Sequence, residues 1–234
     1  MTTWAVWWRG LTVSAAISWF LKLLMVGLLP YLVYTGNYLF TIVTLLAVAL
    51  SLAPSIIERN YRIQLPFELD LLITVSIFLH TFLGEWLMFY ERVWMWDKFL
   101  HFFNSAVVAI LAFVAVYSLH YTKKLRLTVP FVGFFTLIFS GAMGAVWEII
   151  EFWVDIIFYQ TMQTGLNDTM WDLMYDLIGG GIIAVLGMIY VKYAAPETRR
   201  RLTRELGEVF GAYKRNREKR PDRTNKGINK NAGG

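Results

Sequence analysis

The sequence contains no cysteine and little charge. Without cysteine, neither a disulfide framework nor a thiolate metal site can form. Only 17% of the residues are charged, whereas in typical soluble domains about a quarter are. The first residues, MTTWAVWWRG, also lack the charged start and the small-residue cleavage site of a secretory signal peptide. These absences argue against a disulfide-stabilised secreted domain and against an ordinary soluble domain.

Apolar and aromatic residues make up most of the chain. Hydrophobic residues account for 57%, the mean hydropathy is +0.48, and the ten Trp and 17 Phe are typical of aromatic belts at membrane interfaces. A bilayer-spanning helix needs about 20 mostly apolar residues. We therefore expect an all-α polytopic membrane protein with six transmembrane helices in a single bundle, forming one domain over 1–193. The expected spans are roughly 12–34, 37–57, 69–89, 98–119, 129–156 and 171–192.

The distribution of basic residues predicts the orientation. Lys and Arg concentrate in the cytoplasmic loops of membrane proteins. The tail after Tyr190 holds 13 of the 22 Lys and Arg, and the preceding loops alternate between poorer and richer in them. Both termini are therefore expected to be cytoplasmic.

The remaining residues, 194–234, form a basic and mostly polar tail. Its first part, 197–213, has the pattern of an amphipathic helix, and the rest is expected to be disordered. A solvated tail and an anchor on anionic lipid headgroups both fit this composition. Nucleic acid is not an expected partner, because no nucleic-acid-binding module accompanies the charge.

Acidic residues and two histidines concentrate in the outer halves of the last four expected spans. Helical spacing places residues that are three or four apart on one face, so the acids form stripes. An acid at bilayer depth costs about 2.5–3.5 kcal/mol on insertion scales, so the stripes should face each other, water or a cation. The polar positions are His80 and Glu85; Asp97, His101 and Asn104; Glu148, Glu151 and Asp155; and Asp168, Asp172 and Asp176.

Like charges that share a site repel each other unless something neutralises them. The outer side offers few cations, chiefly Arg92 and Lys98, so either some acids are protonated or a divalent metal binds. Carboxylates with imidazole suit zinc, manganese or iron, and a site mainly of oxygens suits magnesium or calcium. The expected ion is zinc, manganese or magnesium. The expected ligands are Asp97, His101, Glu148, Glu151, Asp168, Asp172 and Asp176, with His80, Glu85, Asn104 and Asp155 as secondary residues.

Several of these polar residues also have simpler interpretations. Asp97 can be the N-cap of the fourth helix, and Glu151 or Asp155 can cap a helix or protrude into water. His80 can be a hydrogen-bonded packing residue. Lys22, near the middle of the first span, can snorkel towards the cytoplasm or act as a counter-ion to the acids. Close helix packing is the expected role of five glycines, Gly141, Gly144, Gly179, Gly180 and Gly181.

Three segments carry a family resemblance: WDKFLHFFNSAV, GAVWEIIEFWVD and GLNDTMWDLMYDLIGGGIIAVLG. They resemble signature segments of the YjdF-like family of bacterial inner-membrane proteins. That family is similar to VanZ-like proteins, which share the Asp-Lys-x-x-His start and are associated with glycopeptide resistance. The resemblance covers about 85–190 and implies an inner-membrane location but no established activity. It implies family polar positions at Asp97, His101, Glu148, Glu151, Asp168, Asp172 and Asp176.

Three functions fit these patterns. The first is a metal-dependent hydrolase or transferase on a lipid or lipid-linked headgroup, with His101, Glu148 or Glu151 as general base. The second is a cation- or proton-coupled transporter, and the third is a membrane scaffold without catalysis. A transporter should carry polar groups through the whole bilayer, whereas the inner halves of the expected spans have few polar residues apart from Lys22. The sequence also shows no pair of discontinuous helices of the kind that transporters use. Membrane lipids are the expected partners, and the sequence does not indicate an oligomeric state.

The orientation can be tested with topology reporters. A reporter fused at Gly234 or inserted within 123–126 should read cytoplasmic, and one within 160–167 should read external, because basic loops stay inside. An external C-terminus would place the acids on the cytoplasmic side and contradict a site on the outer face.

Overall fold

A computed structural model describes residues 13–61, 69–121 and 127–193 of the chain. This part is all helical, without strands, and six of its helical segments are long and apolar enough to cross a membrane. The expected fold class is therefore confirmed. The basic tail, with its expected helix at 197–213, lies outside the described residues. The helices are α1 (Val13–Tyr34), α2 (Tyr38–Tyr61), α3 (Leu69–Phe78), α4 (Phe89–Arg92), α5 (Trp96–Tyr121), α6 (Val129–Phe158) and α7 (Leu166–Tyr193).

Local sequence signals account for the helix boundaries. Gly36 between α1 and α2 has a φ of +73°, which glycine adopts without steric cost. Asn37 then begins α2 by accepting the N–H of Phe40 at 3.2 Å. Thr128 caps α6 in the same way through the N–H of Phe131. Such caps satisfy backbone donors that have no partner inside the helix.

The third span differs from a regular helix. α3 continues into a π-helical segment, Leu79–Trp86, and the chain then turns through Met88, whose φ is +59°. The short helix α4 follows, and Met95 with a φ of +66° leads into α5. π-Helical turns are rare and occur frequently at functional sites. This irregular connection brings α4 next to the first turn of α5.

The spans pack as two three-helix groups. α1, α2 and α3 contact one another, α5, α6 and α7 contact one another, and the third span joins the groups through α5. Gly179 of α7 lies against the backbone carbonyl of Phe102 and the hydroxyl of Ser105 on α5, so a Cβ there would overlap both. Gly180 lies similarly against Ser140 of α6. The predicted close packing is confirmed at these two glycines, and it allows α7 to approach both neighbours.

Two helix starts differ from the expected spans. α7 begins at Leu166, five residues before the expected 171, so Asp168 lies in its first turn. α5 begins at Trp96, so Asp97 lies inside the first turn and does not precede the helix as an N-cap. The apolar runs predicted these starts too late because acidic residues in the first turn lower the local hydropathy. Acidic residues near a helix N-terminus nevertheless stabilise the helix.

Lys22 has a partner that the sequence analysis did not foresee. Its ammonium nitrogen lies 2.8 and 2.9 Å from the two carboxylate oxygens of Asp70, in the first turn of α3. Ser18 and Ser55 donate hydrogen bonds to the same carboxylate at 2.5 and 2.9 Å. The prediction that Lys22 neutralises the outer acids is therefore wrong. Lys22 is also buried against Asp70, so its ammonium is not exposed as a snorkelling lysine's would be. The half of the first three spans that we expected to be nearly free of polar groups therefore contains this polar centre.

The Lys22–Asp70 pair should stabilise the packing of α1 on α3. Lys22→Met leaves a carboxylate without its cation, and breaking a buried pair costs up to about 3–5 kcal/mol. The double variant Lys22→Met/Asp70→Asn should recover most of that loss, since no unpaired charge remains. The thermal unfolding midpoint in detergent measures both effects, with Lys192→Met as the control. Equal destabilisation by the single and the double variant would contradict a charge-pairing role.

Candidate functional site

Three helices bring acids and a histidine together at one end of the bundle. The N-terminal turns of α5 and α7 lie beside the C-terminal turns of α6, so their polar stripes face each other. We call six of these residues the acid–histidine cluster: Asp97, His101, Glu148, Glu151, Asp172 and Asp176. All of them except Asp97 are buried.

The imidazole of His101 is the centre of the cluster. Its Nε2 lies 3.5 Å from Glu148 Oε1 and 3.8 Å from both Asp97 Oδ1 and Asp172 Oδ1. Its Nδ1 lies 3.3 Å from Asp176 Oδ2, within hydrogen-bonding distance. A proton on Nδ1 can therefore be donated to Asp176, and this tautomer leaves the Nε2 lone pair facing three carboxylate oxygens.

A glycine makes the contact between Asp176 and His101 possible. Gly144 of α6 lies so close to Asp176 that a Cβ at this position would overlap the carboxylate. The absence of a side chain therefore leaves room for Asp176 between α6 and α7. The expected role of Gly144 in close packing is confirmed, and the group packed against it belongs to the cluster.

A glutamine from the connection between α6 and α7 holds Glu148 through Oε2. The side-chain amide of Gln163, in the connection between α6 and α7, donates to Glu148 Oε2 at 2.9 Å and to the Glu148 carbonyl at 2.8 Å. Glu148 Oε1 is buried and has no hydrogen-bond partner among the described residues. Buried acceptors are nearly always paired, so this oxygen calls for a proton, a cation or a hydrogen-bond donor.

Glu151 lies one turn further along α6. Trp147 Nε1 donates to Glu151 Oε1 at 2.7 Å, which fixes the carboxylate against the helix surface. Ligand atoms of Glu151, Glu148 and His101 all lie within 4.8 Å of one another. Glu151 therefore lies on α6 beside the space that His101 Nε2 faces.

Lys98 brings a positive charge next to the carboxylates of the cluster. Its ammonium lies 2.9 Å from Asp97 Oδ2 and 2.9 Å from Asp172 Oδ2, and it also pairs with Asp168. Asp172 Oδ1 is 2.8 Å from the same nitrogen but makes no hydrogen bond. Asp168, predicted as a metal ligand, is thus engaged by Lys98 and by the Thr164 N–H at 3.1 Å.

Two residues of the predicted stripes have structural contacts instead. Asn104 accepts a hydrogen bond from Ser76 at 2.5 Å and so ties α5 to α3. Asp155 accepts the backbone N–H groups of Met162 and Gln163 at 2.7 and 2.9 Å. Asp155 therefore organises the connection that carries Gln163, which accords with its simpler interpretation as a capping residue.

His80 and Glu85 lie on the π-helical segment. His80 Nδ1 is 2.5 Å from the hydroxyl of Tyr90 on α4, and its ring meets that of Trp147 edge-on at 5.4 Å. Burial, together with the charges of nearby acids, raises the pKa of Tyr90 well above its ordinary value, so the phenol stays protonated. Glu85 is exposed. His80 is therefore a hydrogen-bonded neighbour of the cluster rather than a member.

Sequence reasoning missed three residues that orient the site. Trp147 lies four residues before Glu151, so helical spacing could have paired them. Gln163 lies in a polar connection with no pattern that marks it. Tyr90 is separated from its partner His80 by an irregular segment that no periodicity predicts.

The spacing of the donor atoms around His101 approaches that of a metal site. At metal–ligand bonds of about 2.0–2.2 Å, neighbouring ligands of a tetrahedral ion are about 3.3–3.6 Å apart. The separations from His101 Nε2 to the three carboxylate oxygens, 3.5 to 3.8 Å, lie close to this range. Two ligand groups share His101, one with Asp97 and Asp172 and the other with Glu148 and Glu151.

Comparison with known proteins identifies relatives of the chain. An uncharacterized protein of Thermotoga maritima is 37% identical over 131 residues, which cover 54% of this chain and 65% of that relative, just under two thirds of its length. No solved structure matches the chain. The family model described as "Predicted membrane protein (DUF2238)" matches residues 16–193, from α1 to the end of α7. Because this match includes every helix that carries the acid–histidine cluster, the chain belongs to that family of membrane proteins.

Proposed function

We propose that the acid–histidine cluster binds a divalent metal ion and that the protein is a metal-dependent membrane enzyme. The proposed reaction is hydrolysis or group transfer on a lipid or lipid-linked headgroup. In this proposal the protein lies in the cytoplasmic membrane, with the cluster on its outer side. We also propose that the chain is similar to the YjdF-like and VanZ-like proteins.

The observation that carries the proposal is the pairing of an oriented imidazole with an unsatisfied carboxylate oxygen. Asp176 faces His101 Nδ1, and Glu148 Oε1, buried and without a hydrogen bond, lies 3.5 Å from Nε2. Metal-binding histidines almost always donate their other ring nitrogen to a carboxylate or carbonyl, which fixes the tautomer. A cation between Nε2 and Oε1 would satisfy both atoms.

The charge balance supports the same conclusion. Four carboxylates lie within 3.8 Å of the two ring nitrogens of His101. Lys98 contributes one positive charge, and a protonated His101 would contribute one more. A divalent ion supplies more charge than an imidazolium at the same place, and a bound ion keeps neighbouring acids ionised.

The donor set narrows the choice of metal. One imidazole with several carboxylates suits zinc or manganese. Magnesium prefers oxygen ligands and keeps several waters, so it would use the carboxylates and leave the imidazole as a neighbour. The presence of His101 at the centre therefore favours zinc or manganese over magnesium.

The position of the cluster suits a substrate that lies in the membrane. His101 is five residues into α5, which places it about 8 Å along the helix from its N-terminal end. A headgroup at the interface can approach this depth from the side. A bound metal there would polarise a phosphoryl or carbonyl oxygen or activate water. Glu151 is the best placed general base, because His101 and Glu148 are engaged as ligands in this arrangement.

Proton-coupled transport is the second candidate. The Lys22–Asp70 ion pair supports this candidate, because a proton path needs polar groups at more than one depth of the membrane. The pair lies in the half of the protein opposite the acid–histidine cluster. In that case the cluster would carry protons in place of a metal. The two candidates differ in the measured metal content of the purified protein.

Metal binding should stabilise the folded protein. At a free metal concentration 100-fold above the dissociation constant, binding adds about 2.7 kcal/mol to stability. A chelator should therefore lower the unfolding midpoint in detergent, and zinc or manganese should restore it. Glu148→Gln should reduce the metal content and abolish the restoration, because the amide keeps the shape but loses the charge.

Glu91→Gln is the matched control, since Glu91 is an exposed acid on α4 outside the cluster. It should leave metal content and restoration unchanged. A metal-free wild type, with Glu148→Gln melting higher than the wild type, would favour the transport candidate over the metal enzyme.

Asp176 should act on metal affinity through His101. Asp176→Asn keeps a similar shape but weakens the acceptor for Nδ1–H, and the loss of such an outer partner typically costs 10- to 100-fold in metal affinity. A competition titration with a fluorescent chelator measures the change. Unchanged affinity would show that the His101–Asp176 contact does not orient a ligand.

A further inference from the structure

Lys98 occupies a position that is built for a cation. Its side chain is 13% exposed, and its ammonium lies between carboxylates of α5 and α7. An ammonium has three N–H donors, and the three partners here are Asp97 Oδ2, Asp168 Oδ1 and Asp172 Oδ2. With every donor used, Lys98 has none left with which to bind a substrate headgroup.

Two of these carboxylates also face the proposed metal position. Asp97 directs Oδ2 to the Lys98 ammonium and Oδ1 towards His101 Nε2. Asp172 has both oxygens near the ammonium, at 2.8 and 2.9 Å, and its Oδ1 also lies 3.8 Å from His101 Nε2. Each carboxylate thus bridges the ammonium and the space beside the imidazole. Carboxylates that bridge two cations are typical of two-metal sites, in which the ions lie about 3.5–4 Å apart.

The acids around Lys98 form an oxygen-rich ligand set. Asp168 and Asp172 lie one turn apart on α7, and Asp97 faces them from α5. Without the ammonium, three carboxylates would share one site with no counter-charge, which like charges tolerate poorly. Hard divalent cations prefer such a set of carboxylate oxygens.

We infer that Lys98 is a tethered cation that fills the second position of a two-cation site. The inference rests on the proposed metal site, since the first position is the one beside His101. The native protein then binds one divalent ion per chain. Replacement of Lys98 by a small neutral residue opens the second position, and the protein then binds two.

The test is a metal count on the full chain in detergent. Apo-protein is dialysed against Mn²⁺, and the bound manganese per chain is measured by mass spectrometry. Wild type should bind one ion, whereas Lys98→Ser and Lys98→Gln should bind two. Two manganese ions bridged by carboxylates are spin-coupled, so the six-line electron paramagnetic resonance signal of the single ion should broaden in both variants.

Two variants serve as controls. Lys98→Arg keeps the positive charge and should stay at one ion per chain. Lys192→Gln removes a lysine from the last turn of α7, at the opposite end of the helix, and should also stay at one. Both should keep the uncoupled six-line signal.

The remaining outcomes separate this inference from the proposed function. One ion in wild type and in both neutral variants would overturn the tethered-cation inference and leave the proposed metal site in place. Two ions in wild type would also overturn it. No ion in any protein would contradict both. Failure of both neutral variants to fold even with Mn²⁺ present would count against the inference, because the ion should replace the missing charge.

Discussion

Carboxylates in an apolar helix bundle require counter-charge, and the arrangement around His101 follows from this requirement. Each buried acid must meet a cation, a proton or a hydrogen-bond donor, because burial of an unpaired charge is costly. Asp172 and Asp97 meet Lys98, Glu151 meets the Trp147 indole, and Asp176 meets the imidazole. Asp172 Oδ1 and Glu148 Oε1 make no hydrogen bond among the described residues, but Asp172 Oδ1 still lies beside the Lys98 ammonium. Glu148 Oε1 lies 3.5 Å from His101 Nε2, and the space between these two atoms defines the candidate site.

The two polar centres of the protein meet the same requirement in different ways. Around Lys22, a single carboxylate receives an ammonium and two hydroxyl groups, so Asp70 is fully hydrogen-bonded. Such a saturated pair holds helices together and leaves no atom for a ligand. The cluster around His101 has more acids than cations, and two of its buried oxygens, Glu148 Oε1 and Asp172 Oδ1, make no hydrogen bond among the described residues. The excess of acid distinguishes a binding site from a packing contact.

Local periodicity predicted the parts of the fold and site that depend on a single helix. Apolar runs gave the spans, and spacings of three or four residues placed Glu148 with Glu151 and Asp172 with Asp176 on common faces. Contacts between distant segments were not predictable in this way. Asp70 is 48 residues from Lys22, and Gln163 reaches Glu148 from a connection without regular spacing. The π-helical segment that carries His80 was not predictable either, because no apolar pattern marks it.

The coordination shell of a bound ion is the decisive test of metal binding at His101. X-ray absorption spectroscopy on purified protein loaded with one equivalent of zinc reports the ligand types and their distances. Zinc bound at the acid–histidine cluster should show nitrogen and oxygen ligands at about 2.0–2.2 Å, with the outer-shell scattering of one imidazole. That imidazole signal should be lost in His101→Ala. Zinc that is retained only as a hydrated ion, or a shell that is unchanged in His101→Ala, would contradict metal binding at His101.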